Sequence, residues 1–443
     1  MKKYVKTIGV VLVATLLFSW LAATVQTNYS LEDLSGINKA DTVFVAVSAI
    51  LVMLMTPALG FFYAGLVRQK NLLSVLVQSV AIFALMSIVW ALWAYSLAFG
   101  PTIGGLFGGL SMFALKGVGI APIEGQTIPA LLFFFFQLKF AAITPALIIG
   151  AFAERIRFRS LLAFVVLWAT FIYSPVAHWV WADGGWLGAM GALDFAGGTV
   201  VHIVAGFSAL AGALVIGKRK IQNGATTPSN IPFVILGAAL LWFGWFGFNA
   251  GSALAMDGVA VNALIVTNIA AASACLSWMI VDRLMKGRPT ATGVAIGAVC
   301  GLVAITPAAG FVGPMAAVAI GLVAGLISNL VANWRVRKTQ LDDSLDVFAC
   351  HGISGVWGAV ATGIFASTAV NAAGADGLLF GNPGQLAVQA IAVVACAAFA
   401  FAGSYVLFKA IDKTIGLRVS EEDEVKGLDR AYHGEAAFFS GDE

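Results

Sequence analysis

Long apolar runs separated by short polar breaks dominate the chain from Asp41 onward. Five lie near 42–66, 72–99, 128–152, 160–180 and 196–216, and six more near 231–248, 259–280, 292–309, 314–334, 345–365 and 385–407. Most are close to the ~20 residues a helix needs to cross a ~30 Å hydrocarbon core. The pattern predicts an all-α polytopic membrane protein with eleven transmembrane helices. Upstream, Lys2, Lys3 and Lys6 precede a shorter apolar run, Ile8 to Ala23, that ends on small residues. This layout predicts a cleaved signal peptide over 1–23 and an external segment over 24–40. An uncleaved first helix is the alternative.

The basic residues test this parse independently. Odd-numbered breaks hold Arg68 and Lys70; Arg155, Arg157 and Arg159; Lys218, Arg219 and Lys220; Arg283, Lys286 and Arg288; and Arg335, Arg337 and Lys338. Of the even-numbered breaks, only the second holds a basic residue, Lys116. Cytoplasmic loops carry the excess of Lys and Arg, so the mature N-terminus is expected outside, and the charged tail at 409–443 inside.

Within the transmembrane domain, 41–408, spans 1–5 (41–217) and 6–10 (231–367) form two halves, with span 11 (385–408) left over. Five is odd, so the second half enters the membrane inverted relative to the first. Inverted repeats place a substrate path at their interface near the midplane. His202 begins HIVAG in span 5 and His351 begins HGISG in span 10, the fifth span of each half. The two histidines are thus expected beside the axis that relates the halves. Gly293, Gly297 and Gly301, with Gly321 and Gly325, read as packing seams.

Composition narrows the function. Of 443 residues, 60% are hydrophobic and 11% charged, against roughly 25% charged in a soluble domain. A net charge of +3 makes no basic footprint, which excludes a nucleic-acid partner. The 49 glycines suit close helix packing. Four cysteines, Cys275, Cys300, Cys350 and Cys396, lie in apolar stretches without metal or disulfide spacing. Ionisable groups in spans mark functional sites. Here they are His202, His351 and Lys139, with Asp194 just before span 5 and Asp346 opening span 10.

No nucleophile or metal set accompanies the histidines, so neither an enzyme nor a cofactor is expected. A neutral imidazole offers one donor and one acceptor, and low dielectric disfavours imidazolium. Two such rings in an apolar path suit a tiny, uncharged or transiently neutralised substrate, or a proton. Trp181 beside Asp183 and ahead of Asp194 could form a cation-attracting mouth. An interfacial tryptophan belt, and an N-cap role for Asp194 in DFAGG, are the competing readings.

The stretches DFAGGTVVH (194–202), GWFGFNAGSA (244–253), ITPALIIGAFAERIRF (143–158) and DVFACHGISG (346–355) resemble the ammonium transporter (Amt/Mep/Rh) family. The resemblance runs from about Asp41 to the C-terminus. It implies a homotrimer in the cell inner (cytoplasmic) membrane, spanning the lipid bilayer many times, with a pore for ammonium-derived nitrogen through each subunit. By that similarity Trp181 and Ser252 recruit NH4+, or its methylammonium analogue, at an outer site that Asp194 supports. Phe140 and Phe248 match the phenylalanine gate, and His202 and His351 the twin histidines of the NH3-conducting pore. Trp181 with Ser252 resembles the Amt branch of bacterial type. Lys139, beside Phe140, departs from the family pattern; snorkelling away from the pore would make it harmless. The tail at 416–435 is similar to one that contacts neighbouring subunits and docks a P-II-type signalling protein. No fused sensor is expected, although an ammonium sensor that signals through this tail is the alternative function.

Overall fold

In a computed structural model, residues 2–25, 34, 36–220 and 227–438 are described, with side chains from Gly9 onward. Most of the expected external segment, and the side chains of Lys2, Lys3 and Lys6, lie outside the described residues. Lys2–Thr24 is helical, and Val10, Leu16 and Trp20 on it are exposed.

Among the described residues, ten helices are long and apolar enough to cross a membrane. They are α1 (Lys39–Leu66), α2 (Gln69–Phe99), α3 (Ala130–Ala151), α4 (Phe158–Ala189), α5 (Gly198–Ile216), α6 (Ile231–Ala253) and α7 (Gly258–Lys286), followed by α9 (Pro314–Lys338), α10 (Phe348–Phe365) and α11 (Pro383–Ile415). The shorter apolar helix α8 (Ala291–Ile305) lies between α7 and α9 in the chain. A two-stranded hairpin, β1 (Thr102–Ile103) with β2 (Phe107–Gly108), follows α2. Each apolar run therefore yields a helix.

Lipid offers helices little hydrophobic reason to associate, so close packing of small residues must do so. A Cβ on Gly237 of α6 would stand 2.4 Å from the Phe62 amide nitrogen of α1. The glycine stripes behave in the same way. Gly301 of α8 and Gly321 of α9 both press on the Ala270 carbonyl of α7, where a Cβ would lie at 2.4 and 2.2 Å.

Four of the five basic breaks meet at one end of the bundle. Buried Glu154 accepts from the Arg68 amide and Nε at 2.7 and 3.0 Å, and Arg219 bridges Glu154 and Asp342 at 3.3 and 2.7 Å. Burial raises the Asp342 carboxyl, but hydrogen bonds from Arg219 and the Arg155 charge outweigh it, leaving a pKa of about 2. The tail closes over this face. Glu424, on the short helix α12 (Glu421–Lys426), pairs with Arg418 at 2.8 Å and accepts from the Lys220 amide of the fifth break at 2.5 Å. The Arg157 amide of the third break donates to the Leu417 carbonyl at 2.8 Å. Asp429 accepts from the amides of Leu73 and Ser74 at 3.0 and 2.7 Å, and Leu428 donates to Asn71 at 2.8 Å. At the opposite end Asp41 joins Thr127 and the Met256 amide at 2.6 and 2.8 Å.

Candidate functional site

Helices α5 and α10 carry the two histidines, and both begin with a loosened turn. The amide of His202 reaches back five residues to the Gly197 carbonyl at 3.0 Å. Such π-type turns recur at functional sites, and a second occupies Phe348–Ile353. Each is anchored by a buried carboxylate eight residues ahead of its histidine. Asp194 accepts from the amides of Gly197, Gly198, Thr199 and Val200 at 2.6–3.1 Å and from the Thr199 hydroxyl. Asp343 accepts from the amides of Val347 and Phe348 at 3.1 and 2.8 Å. Four orphan amides at a helix start demand such acceptors. Asp346, singled out from the sequence, is instead paired with Arg335 at 2.7 Å.

Next to these turns the helices touch backbone to backbone. A Cβ on Gly206 would lie 2.2 Å from the Gly352 nitrogen, and the closeness brings the imidazoles together. Their Nδ1 atoms are 3.3 Å apart and the ring planes 20° from parallel, with centroids 5.4 Å apart. One Nδ1 must donate and the other accept. With both rings neutral, one Nε2 is then a bare acceptor and the other an N–H donor. The Nε2 of His202 is buried with no hydrogen-bond partner.

A stack of rings continues from the pair. His202 lies over Trp245 at 5.4 Å and beside Phe248 at 6.1 Å. Phe248 packs on Phe140 at 4.4 Å, and Phe140 meets Trp181 edge-on at 5.9 Å. Past Phe140 opens a cavity of about 160 Å³ lined by residues that include Gln126, Gln137, Phe140, Trp181 and Ser252. The Ser252 hydroxyl donates to the Phe248 carbonyl at 2.9 Å, leaving its lone pairs free. The Trp181 indole donates to the Asp194 carbonyl at 2.9 Å. Asp194 therefore fixes both the helix of His202 and the ring of Trp181, while its carboxylate is spent on the helix start and does not line the cavity.

Six residues matched by the family resemblance, Trp181, Ser252, Phe140, Phe248, His202 and His351, thus lie along one column, and Asp194 supports it from the side. Lys139 does not join it. Its ammonium sits 3.4 Å from the Phe135 ring centroid and 5.3 Å from Phe83, away from the cavity lining. Sequence reasoning passed over Asp343, whose signal was the repeated eight-residue Asp-to-His spacing, and over His178. That buried histidine ties α2 to α4 through the Ala98 carbonyl and the Thr102 hydroxyl at 2.9 and 2.8 Å. Among the described residues no three His, Cys, Asp or Glu side chains gather as a metal site.

Known proteins are similar to this chain in both helix arrangement and sequence. The model of the Ammonium Transporter Family matches residues 43–438. The ammonium transporter of Bacillus subtilis (strain 168) is 50% identical over 403 residues, spanning 90% of this chain and 98% of that protein. Ammonium transporter Amt1 of Archaeoglobus fulgidus is 48% identical over 396 residues, 89% of this chain and 98% of its own. The crystal structure of Saccharomyces cerevisiae Mep2 superposes with a TM-score of 0.83 at 36% identity, covering 88% of this chain and 92% of that one. A sensor Amt protein superposes with a TM-score of 0.82 at 31% identity, covering 89% and 98%. Fold and site together describe a multi-pass membrane protein of the transport class, not an enzyme. The chain belongs to the ammonium transporter family.

Proposed function

We propose that this chain conducts ammonium nitrogen as NH3 through the column described above. NH4+ is recruited in the cavity by the Trp181 face and the Ser252 hydroxyl, with Asp194 holding the indole in place. Phe140 and Phe248 form the gate, and His202 and His351 line the apolar pore beyond it. The observation that carries this reading is the unbroken stack from Trp181 through Phe140 and Phe248 to the paired imidazoles.

The physics favours deprotonation before passage. K+ and NH4+ are alike in charge and size, so attraction at the mouth alone separates them poorly. Stripping water from either ion in a low-dielectric channel costs several kcal/mol or more. Only NH4+ can avoid this cost, by leaving its proton behind. The neutral NH3 that remains both donates and accepts hydrogen bonds, which suits a histidine pair offering one N–H and one bare nitrogen.

The same reading sets the chain in its membrane. Eleven spans form an inverted five-plus-five repeat, 41–217 and 231–367, with the eleventh helix at 385–408. The matching Asp-to-His anchors at 194/202 and 343/351 support the repeat. The N-terminus lies outside after removal of 1–23, with 24–40 external, and the tail at 409–443 lies inside an inner membrane, where the joined basic breaks belong. Three copies assemble, and the tail, latched onto the first, third and fifth breaks, offers a docking surface for a P-II-type protein. Uptake of labelled methylammonium into cells expressing the chain, with and without residues 409–443, tests the proposal. Uptake by both forms, suppressed by added ammonium, supports a conduit; no uptake by either indicates a sensor.

A further inference from the structure

Two glutamines beside the recruitment cavity are left without partners. The Oε1 atoms of Gln126 and Gln137 are both buried and accept no hydrogen bond. Buried polar oxygens are nearly always paired with protein, water or an ion, so an unpaired one on a residue lining a cavity is open to a donor held there. Both residues line the same cavity as Trp181 and Ser252.

Their positions are built, not incidental. Phe133, Gln137 and Phe140 fall at i, i+4 and i+7 of α3, so one helix face presents the gate ring and the amide to the cavity. Gln126 comes from the loop before α3, where Gly125 takes φ +77°, a value that favours glycine. The loop is pinned on both sides of the turn. The Gln126 amide donates to the Ile123 carbonyl at 2.9 Å. Thr127 donates through its hydroxyl to Asp41 at 2.6 Å and accepts the Asn38 amide at its carbonyl at 2.8 Å.

We infer that Gln126, with Gln137, supplies carbonyl oxygens that accept N–H bonds from the cation in the outer cavity, making Gln126 a determinant of ammonium affinity. The inference rests on the recruitment reading above. NH4+ carries four N–H donors; the Trp181 face takes one, and the Ser252 oxygen and the two amide oxygens take three. A neutral amide suits this work, because it attracts the cation without a carboxylate's grip on the proton that must later leave.

Ammonium-evoked currents from the full chain in supported membranes test this, with Gln126→Leu, Gln126→Glu and Trp181→Leu compared. Gln126→Leu is expected to raise the KM for ammonium about ten-fold, in keeping with loss of one charge-assisted hydrogen bond, while the maximal current is held. Gln126→Glu keeps an acceptor and should return KM to the wild-type value or lower. A merely structural glutamine would show the opposite order, since a buried carboxylate is harder to accommodate than a leucine. If Trp181→Leu raises KM and Gln126→Leu does not, the glutamine inference alone is overturned. If neither changes KM, the recruitment reading falls with it.

Discussion

Gly206 and Gly352 meet backbone to backbone beside the histidine pair, close enough that a single methyl on Gly206 would overlap the Gly352 amide. The separation of the imidazoles is therefore set by two residues that carry no side chain. Gly206→Val should force α5 and α10 apart, at a cost of roughly 1–3 kcal/mol as overpacking. Thermal unfolding of the purified protein would report a lowered Tm, and methylammonium uptake should be lost. Unchanged uptake would show that ring spacing does not matter.

The two anchoring carboxylates make an unequal pair. Asp194 accepts five hydrogen bonds and Asp343 two. Asp194→Ala and Asp343→Ala should both impair transport, because each frees the turn that carries a histidine. Each unpaired buried amide costs about 1–3 kcal/mol, so Asp194→Ala should depress Tm further than Asp343→Ala. Melting curves of the two variants side by side check the order.

Phe248 touches Phe140, Trp245 and His202 and is fully buried. Phe248→Ala would leave a void costing about 3–5 kcal/mol if the site did not collapse. In a variant that still assembles, the gate should admit water and cations. A K+ leak in reconstituted vesicles is the expected signature.

The basic face gives a pH prediction. Asp342 is held at about 2 against an ordinary 3.8. A depressed carboxyl stabilises the folded state fully above its unfolded value and loses that contribution as pH falls through the folded one. The window therefore lies between about 4 and about 2, and the contribution is at most about 2 kcal/mol. Tm followed across this window should fall less steeply in Asp342→Asn than in the parent chain.

Much of this was legible beforehand, for physical reasons. Apolar run length marked each helix because a bilayer sets a minimum span, and α8, the shortest, still appears where Gly293, Gly297 and Gly301 place it against α7. The ring column was readable in part through family motifs, since GWFGFNAGSA carries Phe248 and Ser252, DFAGGTVVH carries His202 and DVFACHGISG carries His351, whereas Phe140 and Trp181 lie outside those stretches. Asp343 was hidden because three acids, Asp342, Asp343 and Asp346, crowd one loop, and only the backbone decides which of them faces the helix start. Lys139 could not be placed either: neighbours on a helix differ by about 100°, so its distance from the gate depended on the packing of Phe83 and Phe135. Gln126 lay in a loop whose course depends on Asp41 and Asn38, remote in sequence.

The most direct measurement compares NH4+ and K+ pulses on the purified chain in solid-supported membranes, for the parent and for His202→Ala and His351→Ala. The account predicts that the parent discriminates strongly against K+ and that each alanine variant loses that discrimination or stops moving ammonium. Ammonium transport with undiminished selectivity over K+ in both variants would contradict it.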